Sequence, residues 1–418
     1  MLSWEQTPRE APTKENCQTL QWNACGGLCQ RAWVEIDLAA LAHNVRQLKL
    51  LLSPETELMA VVKADAYGHG ACLVAQTALK SGASWLGVAT IPEGIELRQS
   101  GIKAPILILG ATHSPEQVKA IAQWQLQPTL CTPKQALVFS EVLSTLDRPL
   151  PVHVKIDTGM SRLGAPWQEA AKFVQLVQAL PNLQLASIYS HLATADSPDP
   201  TVMRQQHQRF ESAIQACGFE SFPFPPLTKA GNQNLLRPRL HLANSAAALA
   251  DRNLHYDLVR VGLATYGLYP APHLRSVIDL KPVLQVKAKV TQVKMIEAGT
   301  GVSYGYQYIA DRQTRIAVIG IGYADGVPRN LSNQMQVLVR GQFVPQIGAI
   351  TMDQIMLDVS AIPDLEVGEV VTLLGQEGDR QISADDWAAT LGTISWEILC
   401  GFKHRLPRVA VQEEMVSA

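Results

Sequence analysis

The stretch Met59-Ala-Val-Val-Lys-Ala-Asp-Ala-Tyr-Gly-His-Gly70 joins an aliphatic run to a lysine and a glycine-rich turn. An aliphatic run of this length, bounded by turn formers, predicts a buried strand at residues 58–62, with Lys63 at its end. Burial disfavours an ammonium and lowers its pKa, which prepares an amine to attack a carbonyl and form a Schiff base. Taken alone, the pattern is equally typical of a surface lysine that closes a strand before a turn.

Seven further segments of the same aliphatic character follow, and helical patterns separate them. They lie at residues 85–89, 106–109, 128–131, 152–156, 183–189, 240–243 and 256–261. Strands that alternate with helices form parallel sheets. Eight such units within about 210 residues predict an α/β fold of the TIM type, a (β/α)₈ barrel.

The texture of the chain changes after residue 278. Residues 284–296 alternate between apolar and polar side chains, and turn formers separate the short strand patterns that follow at 315–321, 336–339, 344–347, 355–359 and 370–374. Such a series predicts a second, mainly antiparallel β domain, with one helix near residues 383–391.

The chain is therefore expected to have three parts. Residues 1–30 form a polar N-terminal extension, residues 31–278 the barrel, and residues 279–418 the C-terminal β domain. The ordered pattern begins with a strand at 32–36, inside the barrel part. A proline-rich segment at 219–239 lacks periodicity and is expected to be a long surface loop.

Composition excludes several classes of protein. Hydrophobic residues make up 47% of the 418, enough for a large core, and the net charge of −2 favours neither nucleic acid nor an anionic membrane surface. Seven scattered cysteines fit neither a disulfide framework nor a zinc site, so we expect no metal and a reduced, cytoplasmic setting. The sequence has no apolar run of about 18 residues, so we expect no membrane helix. The N-terminus lacks the apolar core of a secretory signal.

Polar residues follow the predicted barrel strands, at the end where barrel active sites lie. Each has an ordinary explanation by itself: His191 as a satisfied core histidine, Ser245 as a helix N-cap, Arg260 as a partner in a surface ion pair. Their occurrence together at one rim favours a site. The rim set is Lys63, Lys155, Asp157, Arg162, His191, Asn244, Ser245, Arg260 and Gly262.

Part of this rim is suited to a phosphate. Asn244 and Ser245 open a helix whose free N–H groups, with the Ser245 hydroxyl, would bind an anion. Gly262 and Leu263 allow the backbone to approach a ligand closely. A phosphate grip opposite a Schiff-base lysine indicates pyridoxal phosphate. GxGxxG and GxxxxGK[ST] motifs are absent, which disfavours dinucleotides and P-loop nucleotides.

These residues belong to a recognisable set of motifs. The chain resembles the alanine racemases, which are fold-type III pyridoxal-phosphate enzymes, over roughly residues 31–410. The motifs come in that family's order, and the whole set is far more specific than any one of them. They are Val61-Val-Lys-Ala-Asp-Ala-Tyr-Gly-His-Gly70, Lys155-Ile-Asp-Thr-Gly-Met-Ser-Arg-Leu-Gly164, Tyr189-Ser-His191, His241-Leu-Ala-Asn-Ser245, Val259-Arg-Val-Gly-Leu263, Val302-Ser-Tyr-Gly305, Gly322-Tyr-Ala-Asp-Gly326 and Met352-Asp-Gln354.

The resemblance implies two opposed bases. Lys63 would carry pyridoxal phosphate and act as one base, and Tyr304 from the partner subunit would act as the other, on the opposite face. One base removes the α-proton and the other returns a proton from the far side, as racemisation requires. Arg260 would donate to the pyridine nitrogen and keep it unprotonated. The active species would be a homodimer with shared sites.

The resemblance also implies supporting roles. Arg162 and the backbone at Met352 would hold the substrate carboxylate, with Asp353 in support. Lys155 matches a position that is carbamylated in some members and pairs there with Arg162. The expected cofactor contacts are His191 beside the ring, and Tyr67, Asn244, Ser245, Gly262 and Leu263 around the phosphate.

The chain departs from the family pattern in a few places. His404 stands where the family has a further phosphate-binding tyrosine, and Thr351 stands where many members have cysteine. The implied function is interconversion of L-alanine and D-alanine, which supplies D-alanine for peptidoglycan.

Alternatives are a racemase of broader specificity, an amino-acid decarboxylase of the same architecture, and a pyridoxal-phosphate carrier. The carrier would lack the β domain and Tyr304, and the decarboxylase would place an acid where Arg260 stands.

Overall fold

The computed structural model describes residues 31–145, 149–219 and 237–411. The expected extension at 1–30 and nearly all of the proline-rich segment lie outside these ranges. The strands up to residue 261 are β1 (Ala32–Asp37), β2 (Glu57–Val61), β3 (Trp85–Val88), β4 (Ile106–Ala111), β5 (Gln127–Leu130), β6 (Leu150–Asp157), β7 (Ala165–Pro166), β8 (Leu183–Tyr189), β9 (Arg239–His241) and β10 (Leu258–Val261). The helices among them are α1 (Leu38–Leu51), α2 (Ala71–Lys80), α3 (Ile91–Gln99), α4 (Pro115–Gln123), α5 (Pro133–Val142), α6 (Ala170–Ala179), α7 (Thr201–Ala216) and α8 (Ser245–Ala250).

Eight of these strands form a parallel, nearly closed barrel, which confirms the fold class expected from the sequence. Their order is β10-β2-β3-β4-β5-β6-β8-β9. Between β9 and β10, two backbone bonds span the seam: the amide of Asp257 donates to Leu240 O, and that of Arg260 to Ala243 O. Strands buried on both faces read as continuous apolar runs, and all four residues of β3 are buried.

Local sequence signals mark where the helices begin. Asp37 caps α1 by accepting from the amide of Ala40 at 2.8 Å. Capping boxes begin α3 at Thr90 and α4 at Ser114, each followed by proline near the first helical position. These caps satisfy amides that the first turn of a helix leaves without partners.

The second sheet is mainly antiparallel, as expected, and is built around the long strand β11. The strands and helices of this part of the chain are β11 (Leu284–Ile296), β12 (Gly301–Val302), β13 (Tyr308–Ile309), β14 (Thr314–Ile319), β15 (Gln336–Val339), β16 (Gln342–Pro345), β17 (Ile355–Asp358), β18 (Val370–Glu377), β19 (Arg380–Ile382), β20 (Arg408–Val411), α9 (Ala384–Leu391) and α10 (Ser395–Gly401). Strand β11 pairs with β1, β14 and β18, while β12 and β13 form a separate two-stranded sheet.

Two elements differ from the expectation. Strand β1, assigned to the barrel part from the sequence, instead pairs antiparallel with β11 and parallel with β20. Its alternating burial suits an antiparallel sheet with one covered face. The sequence predicted one helix in the C-terminal part, and α10 is a second. The boundary at 278/279 stays a prediction.

In the described ranges, no helix is both long and apolar enough to span a bilayer.

Candidate active site

Lys63 lies two residues beyond the end of β2, at the mouth of the barrel. Its side chain is half-buried, and burial is the main reason that its pKa is lowered; the neighbouring charge of Arg162 lowers it further. The carboxylate of Glu93 acts in the opposite direction. A lysine with a lowered pKa has more of the neutral amine that nucleophilic and base chemistry requires.

The turn after Lys63 is left-handed. From Ala64 to Tyr67 all four residues have φ between +52° and +55°, a conformation that costs non-glycine residues roughly 1–2 kcal/mol each. The sequence placed the turn at Gly68–Gly70, so it begins four residues earlier than expected. Fixed bonds hold it: the amide of Ala66 donates to Val62 O at 2.9 Å, and the amide of Ala71 to Asp65 Oδ1 at 2.7 Å.

Glu93 is a site residue that the sequence analysis missed. Its Oε1 accepts from the amide of Ala64 at 2.8 Å, and its Oε2 accepts from the amides of Ala89 and Thr90. One carboxylate thereby connects the loops that follow β2 and β3. Its position in the capping box of α3 was the available signal.

Arg260 is the buried cation of the site. Its guanidinium donates to the Ser190 carbonyl at 2.7 Å, to the Leu242 carbonyl at 3.0 Å, and to Nδ1 of both His241 (2.8 Å) and His191 (3.2 Å). Burial lowers the pKa of Arg260 to about 10, which leaves it protonated at neutral pH. Among the described residues Nε–H has no partner, so the cation keeps a donor for a ligand.

Lys155 and Arg162 lie near Arg260. The Nζ of Lys155 is 5.5 Å from the centre of the Tyr189 ring, and the guanidinium of Arg260 is 5.1 Å from the same ring. Burial, and then the charge of Arg260, lowers the pKa of Lys155 to about 8. Arg162 is exposed at the rim. His191 is half-buried among these cations, and burial together with their charges holds its pKa well below the usual value.

Tyr67, Ser245 and Gly262 meet on one side of the mouth. A Cβ atom placed on Gly262 would lie 2.6 Å from the Tyr67 hydroxyl, so only glycine fits there without movement. The amides of Gly262 and Ala264 donate to Ser245 Oγ at 3.1 and 3.4 Å. Leu263 follows Gly262 in the short turn after β10.

Asn244 has a different task from the one expected. Its Oδ1 accepts from the amide of Ala247 at 3.0 Å, so Asn244, rather than Ser245, is the N-cap of α8. The structure thereby uses this oxygen within the chain, and the expected phosphate contact of Asn244 stays a prediction.

The C-terminal segment packs under the turn that follows Lys63. The guanidinium of Arg408 donates to the carbonyls of Gly68 (2.9 Å) and Leu406 (2.7 Å). His404 is exposed on the adjoining turn. No contact between His404 and the Tyr67 group is found in the described ranges, so its role at the phosphate stays a prediction.

Tyr304 and Met352 lie on the β domain and are exposed. Tyr304 is 72% exposed and Met352 52% exposed. Within the described ranges, no hydrogen bond, ion pair or ring contact joins either to the barrel rim. Asp353 pairs with Arg405 and so braces the loop that carries Met352.

The barrel mouth thus combines an amine of lowered pKa, a buried guanidinium with a free N–H, and the hydroxyl and amide groups that meet at Tyr67, Ser245 and Gly262. Such groups fit a flat, aromatic aldehyde that carries a phosphate, and therefore fit pyridoxal phosphate. Fold and site together define a barrel enzyme of the carbonyl-binding, lysine-dependent class.

Comparisons with known proteins identify the family within that class. The chain matches the family models "Alanine racemase, N-terminal domain" over residues 36–270 and "Alanine racemase, C-terminal domain" over residues 283–410. It is 66% identical over 399 residues to an alanine racemase of a Nostoc species (95% of this chain, 99% of that one). It is 63% identical over 382 residues to one from Synechocystis (91% and 99%).

Solved structures agree. Alanine racemase from Bacillus anthracis with bound L-Ala-P has a TM-score of 0.82 at 34% identity, covering 93% of this chain and 97% of that one. The alanine racemase from Bartonella henselae with covalently bound pyridoxal phosphate has a TM-score of 0.79 at 29% identity, covering 92% of this chain and 100% of that one. The chain belongs to the alanine racemase family. The resemblance, the isomerase class and the cofactor class expected from the sequence are thereby confirmed.

Proposed function

We propose that this protein interconverts L-alanine and D-alanine with bound pyridoxal phosphate and so supplies D-alanine for peptidoglycan. The observation that carries the proposal is the buried Arg260, a cation with a free donor whose charge, like that of Lys63, acts on His191 at the barrel mouth. When bound, the cofactor supplies a conjugated ring that stabilises negative charge at the substrate Cα.

Lys63 attaches the cofactor and is one of the two bases. Its lowered pKa supports both tasks, because burial and the charge of Arg162 favour the neutral amine, the form that accepts a proton. The left-handed turn and Glu93 hold the backbone beside it, so that the amine enters the mouth from a fixed position.

Arg260 sets the electronic character of the site. A guanidinium at the pyridine nitrogen of the cofactor would donate to that nitrogen and leave it unprotonated, since the pKa of a guanidinium is far higher than that of a pyridine nitrogen. We infer that this limits the withdrawal of electrons from Cα and favours simple proton exchange over decarboxylation or transamination. An acid at this position would do the reverse, which disfavours the decarboxylase alternative.

The remaining barrel residues bind the two anionic groups. The Tyr67 hydroxyl, Ser245 and the backbone at Gly262 and Leu263 hold the phosphate, with His191 beside the ring. The exposed guanidinium of Arg162 binds the substrate carboxylate at the rim. The backbone of Met352 from the second subunit binds the same carboxylate. Lys155 lies close enough to Arg162 for the charge of Arg162 to lower the pKa of Lys155, and it supports Arg162 in this role.

Tyr304 of a second subunit is the other base in this proposal. Its 72% exposure supports this role, since a side chain directed away from its own domain is available to a partner. The turn that presents it is well defined: the Ser303 hydroxyl donates to Ala349 O at 2.7 Å. The active form is then a homodimer in which each site takes Lys63 from one chain and Tyr304 from the other, in a cytoplasmic setting.

A racemisation assay over a panel of L-amino acids tests the proposal. We expect a yellow protein that racemises L-alanine in preference to serine and larger residues, and whose activity increases with added pyridoxal phosphate if some cofactor has been lost. Lys63→Ala should abolish the visible absorbance and the racemisation together. A colourless, fully active wild type contradicts the cofactor role. Equal rates across the panel favour the broader-specificity racemase.

A further inference from the structure

A chain of buried polar side chains runs through the barrel interior behind Arg260. The His241 ring accepts from Arg260 through Nδ1 at 2.8 Å, and its Nε2 is 2.8 Å from Ser187 Oγ. The same hydroxyl is 2.6 Å from His153 Nδ1, and His153 Nε2 is 2.7 Å from Gln127 Oε1. Both histidines are completely buried, as is Ser187 to within 1%.

The groups at the two ends of this hydrogen-bonded series, Arg260 and Gln127, allow its hydrogen bonds to run in only one direction. A guanidinium can only donate, so Nδ1 of His241 must be unprotonated and its hydrogen must be on Nε2. That N–H donates to Ser187 Oγ, whose single hydrogen is then directed to Nδ1 of His153. The remaining hydrogen of His153 lies on Nε2 and donates to Gln127 Oε1, an amide oxygen that can only accept. Every hydrogen bond is satisfied in this arrangement.

No second arrangement satisfies the same groups. A protonated His241 would direct an N–H at an N–H of Arg260. A doubly protonated His153 would make Ser187 Oγ accept from both histidines, and the Ser187 hydrogen would then have no acceptor among these groups. Burial and the nearby cations act in the same direction, since the pKa of His153 falls to about 3 and that of His241 lies well below its usual value.

We propose that His241, Ser187, His153 and Gln127 are positioning residues that hold Arg260, through fixed tautomers, in the orientation in which it meets the pyridine nitrogen. The proposal rests on the proposed role of Arg260 at that nitrogen. Barrel interiors are usually filled by branched apolar side chains, so a polar chain here is not required by packing. The His241 ring is further fixed by stacking on Tyr189, with ring centres 4.6 Å apart and planes at 7°.

The hydrogen-bonded series acts on Arg260 in the way that a hydrogen-bond acceptor behind a metal-bound histidine acts on that histidine. An acceptor at Nε2–H increases the electron density at Nδ1 and fixes the ring plane, and so strengthens the bond from Arg260. Removal of Ser187 Oγ leaves the buried Nε2–H of His241 without an acceptor, and the ring then loses its fixed orientation. We expect the effect to weaken with distance from Arg260, so a change at Gln127 is milder than one at Ser187.

Histidine-selective ¹⁵N NMR of the holoenzyme tests the deduced tautomers directly. We expect His241 and His153 each to be neutral, with Nδ1 bare and Nε2 protonated. Protonated Nδ1 on either ring overturns the proposal. This readout does not depend on turnover, so it stands even if the protein racemises no alanine, which would instead overturn the proposed function.

Ser187→Ala and Gln127→Met then test the functional consequence. For Ser187→Ala we expect both histidine tautomers to persist, because Arg260 and Gln127 still fix them, together with a shifted visible absorbance maximum of the bound cofactor and a fall in kcat of about 10- to 100-fold by analogy with outer partners of metal ligands. KM for alanine should change much less. Gln127→Met, at a half-buried position that tolerates an isosteric change, should shift the same quantities in the same direction by a smaller amount.

Ser140→Ala is the matched control. Ser140 is a buried serine of helix α5, outside the hydrogen-bonded series, and its Oγ is 3.5 Å from Asn182 Nδ2. Its loss should leave both histidine tautomers unchanged. If Ser187→Ala and Gln127→Met alter neither the absorbance maximum nor kcat beyond the Ser140→Ala control, the hydrogen-bonded series is only structural and the proposal is overturned. If Ser187→Ala does not fold, Gln127→Met alone decides the outcome.

Discussion

The corner between Gly262 and Tyr67 yields a sharp test of the phosphate grip. In Gly262→Ala the new Cβ would lie 2.6 Å from the Tyr67 hydroxyl and 3.1 Å from its Cζ, against an ordinary contact of 3.4–4 Å. The hydroxyl must therefore retreat by about 0.8 Å. Tyr67 cannot withdraw freely, because it belongs to the left-handed turn and packs on Tyr266 with ring centres 5.0 Å apart.

The expected loss follows from the hydrogen bond that is displaced. A hydrogen bond to a charged group contributes about 1.5–3 kcal/mol, so the affinity for pyridoxal phosphate should fall about 10- to 150-fold in Gly262→Ala. Overpacking also lowers the free energy of unfolding by about 1–3 kcal/mol. Tyr67→Phe removes the oxygen that clashes, so the double variant should lose little more affinity than either single variant.

Fluorescence titration of the cofactor-free variants with pyridoxal phosphate measures these affinities, and the double-mutant cycle isolates their coupling. Gly401→Ala is the matched control, since its nearest atom would be 3.5 Å from the new Cβ. An affinity of Gly262→Ala within twofold of the Gly401→Ala control would refute the reasoning. So would full additivity with Tyr67→Phe, because independent losses mean that the two residues do not share one task.

The other predictions concern the second base, the acid response and the assembly. Tyr304→Phe should slow abstraction of the α-proton from one alanine enantiomer by roughly 10²-fold or more and affect the other much less, as followed by deuterium exchange of each enantiomer; equal, minor losses would remove Tyr304 as a base. Burial lowers the pKa of His69 from 6.5 to about 4. The neutral histidine therefore contributes about 3 kcal/mol to the free energy of unfolding above pH 6.5, and this contribution is lost as the pH falls towards 4. Thermal unfolding should therefore show a smaller acid shift in His69→Gln than in wild type, and identical shifts would contradict this. Specific activity should fall on dilution below the dimer dissociation constant; a constant value down to the point at which sedimentation shows monomers would argue against shared sites.

The barrel could be predicted from the sequence because its signals are local. Each strand is a short aliphatic run next to a cap or a turn former, and the eight predicted strands correspond to β2–β6 and β8–β10. Strand β1 has the same local signal, but its partner, β11, lies some 250 residues further along the chain. Nothing within residues 32–36 reports that pairing, so the sequence could not place β1 in the second sheet.

The candidate site was predictable where residue type determines the chemistry. Lys63 and Arg260 lie at strand ends, and the structure brings them to the same mouth. The left-handed turn was not predictable, because alanine and tyrosine disfavour positive φ and only contacts such as that of Glu93 hold them there. The tautomers behind Arg260 depend on three-dimensional contacts between strands far apart in sequence, and no spacing rule reveals them.

The central claim is that each site takes Lys63 from one chain and Tyr304 from another. Lys63→Ala and Tyr304→Phe subunits, unfolded or dissociated together and reassembled at equal amounts, form mixed dimers that contain one site with both wild-type residues. Half of the dimers are mixed and one of their two sites is intact, so activity should return to about a quarter of the wild-type value. A mixture no more active than the sum of its two inactive parents would contradict the claim.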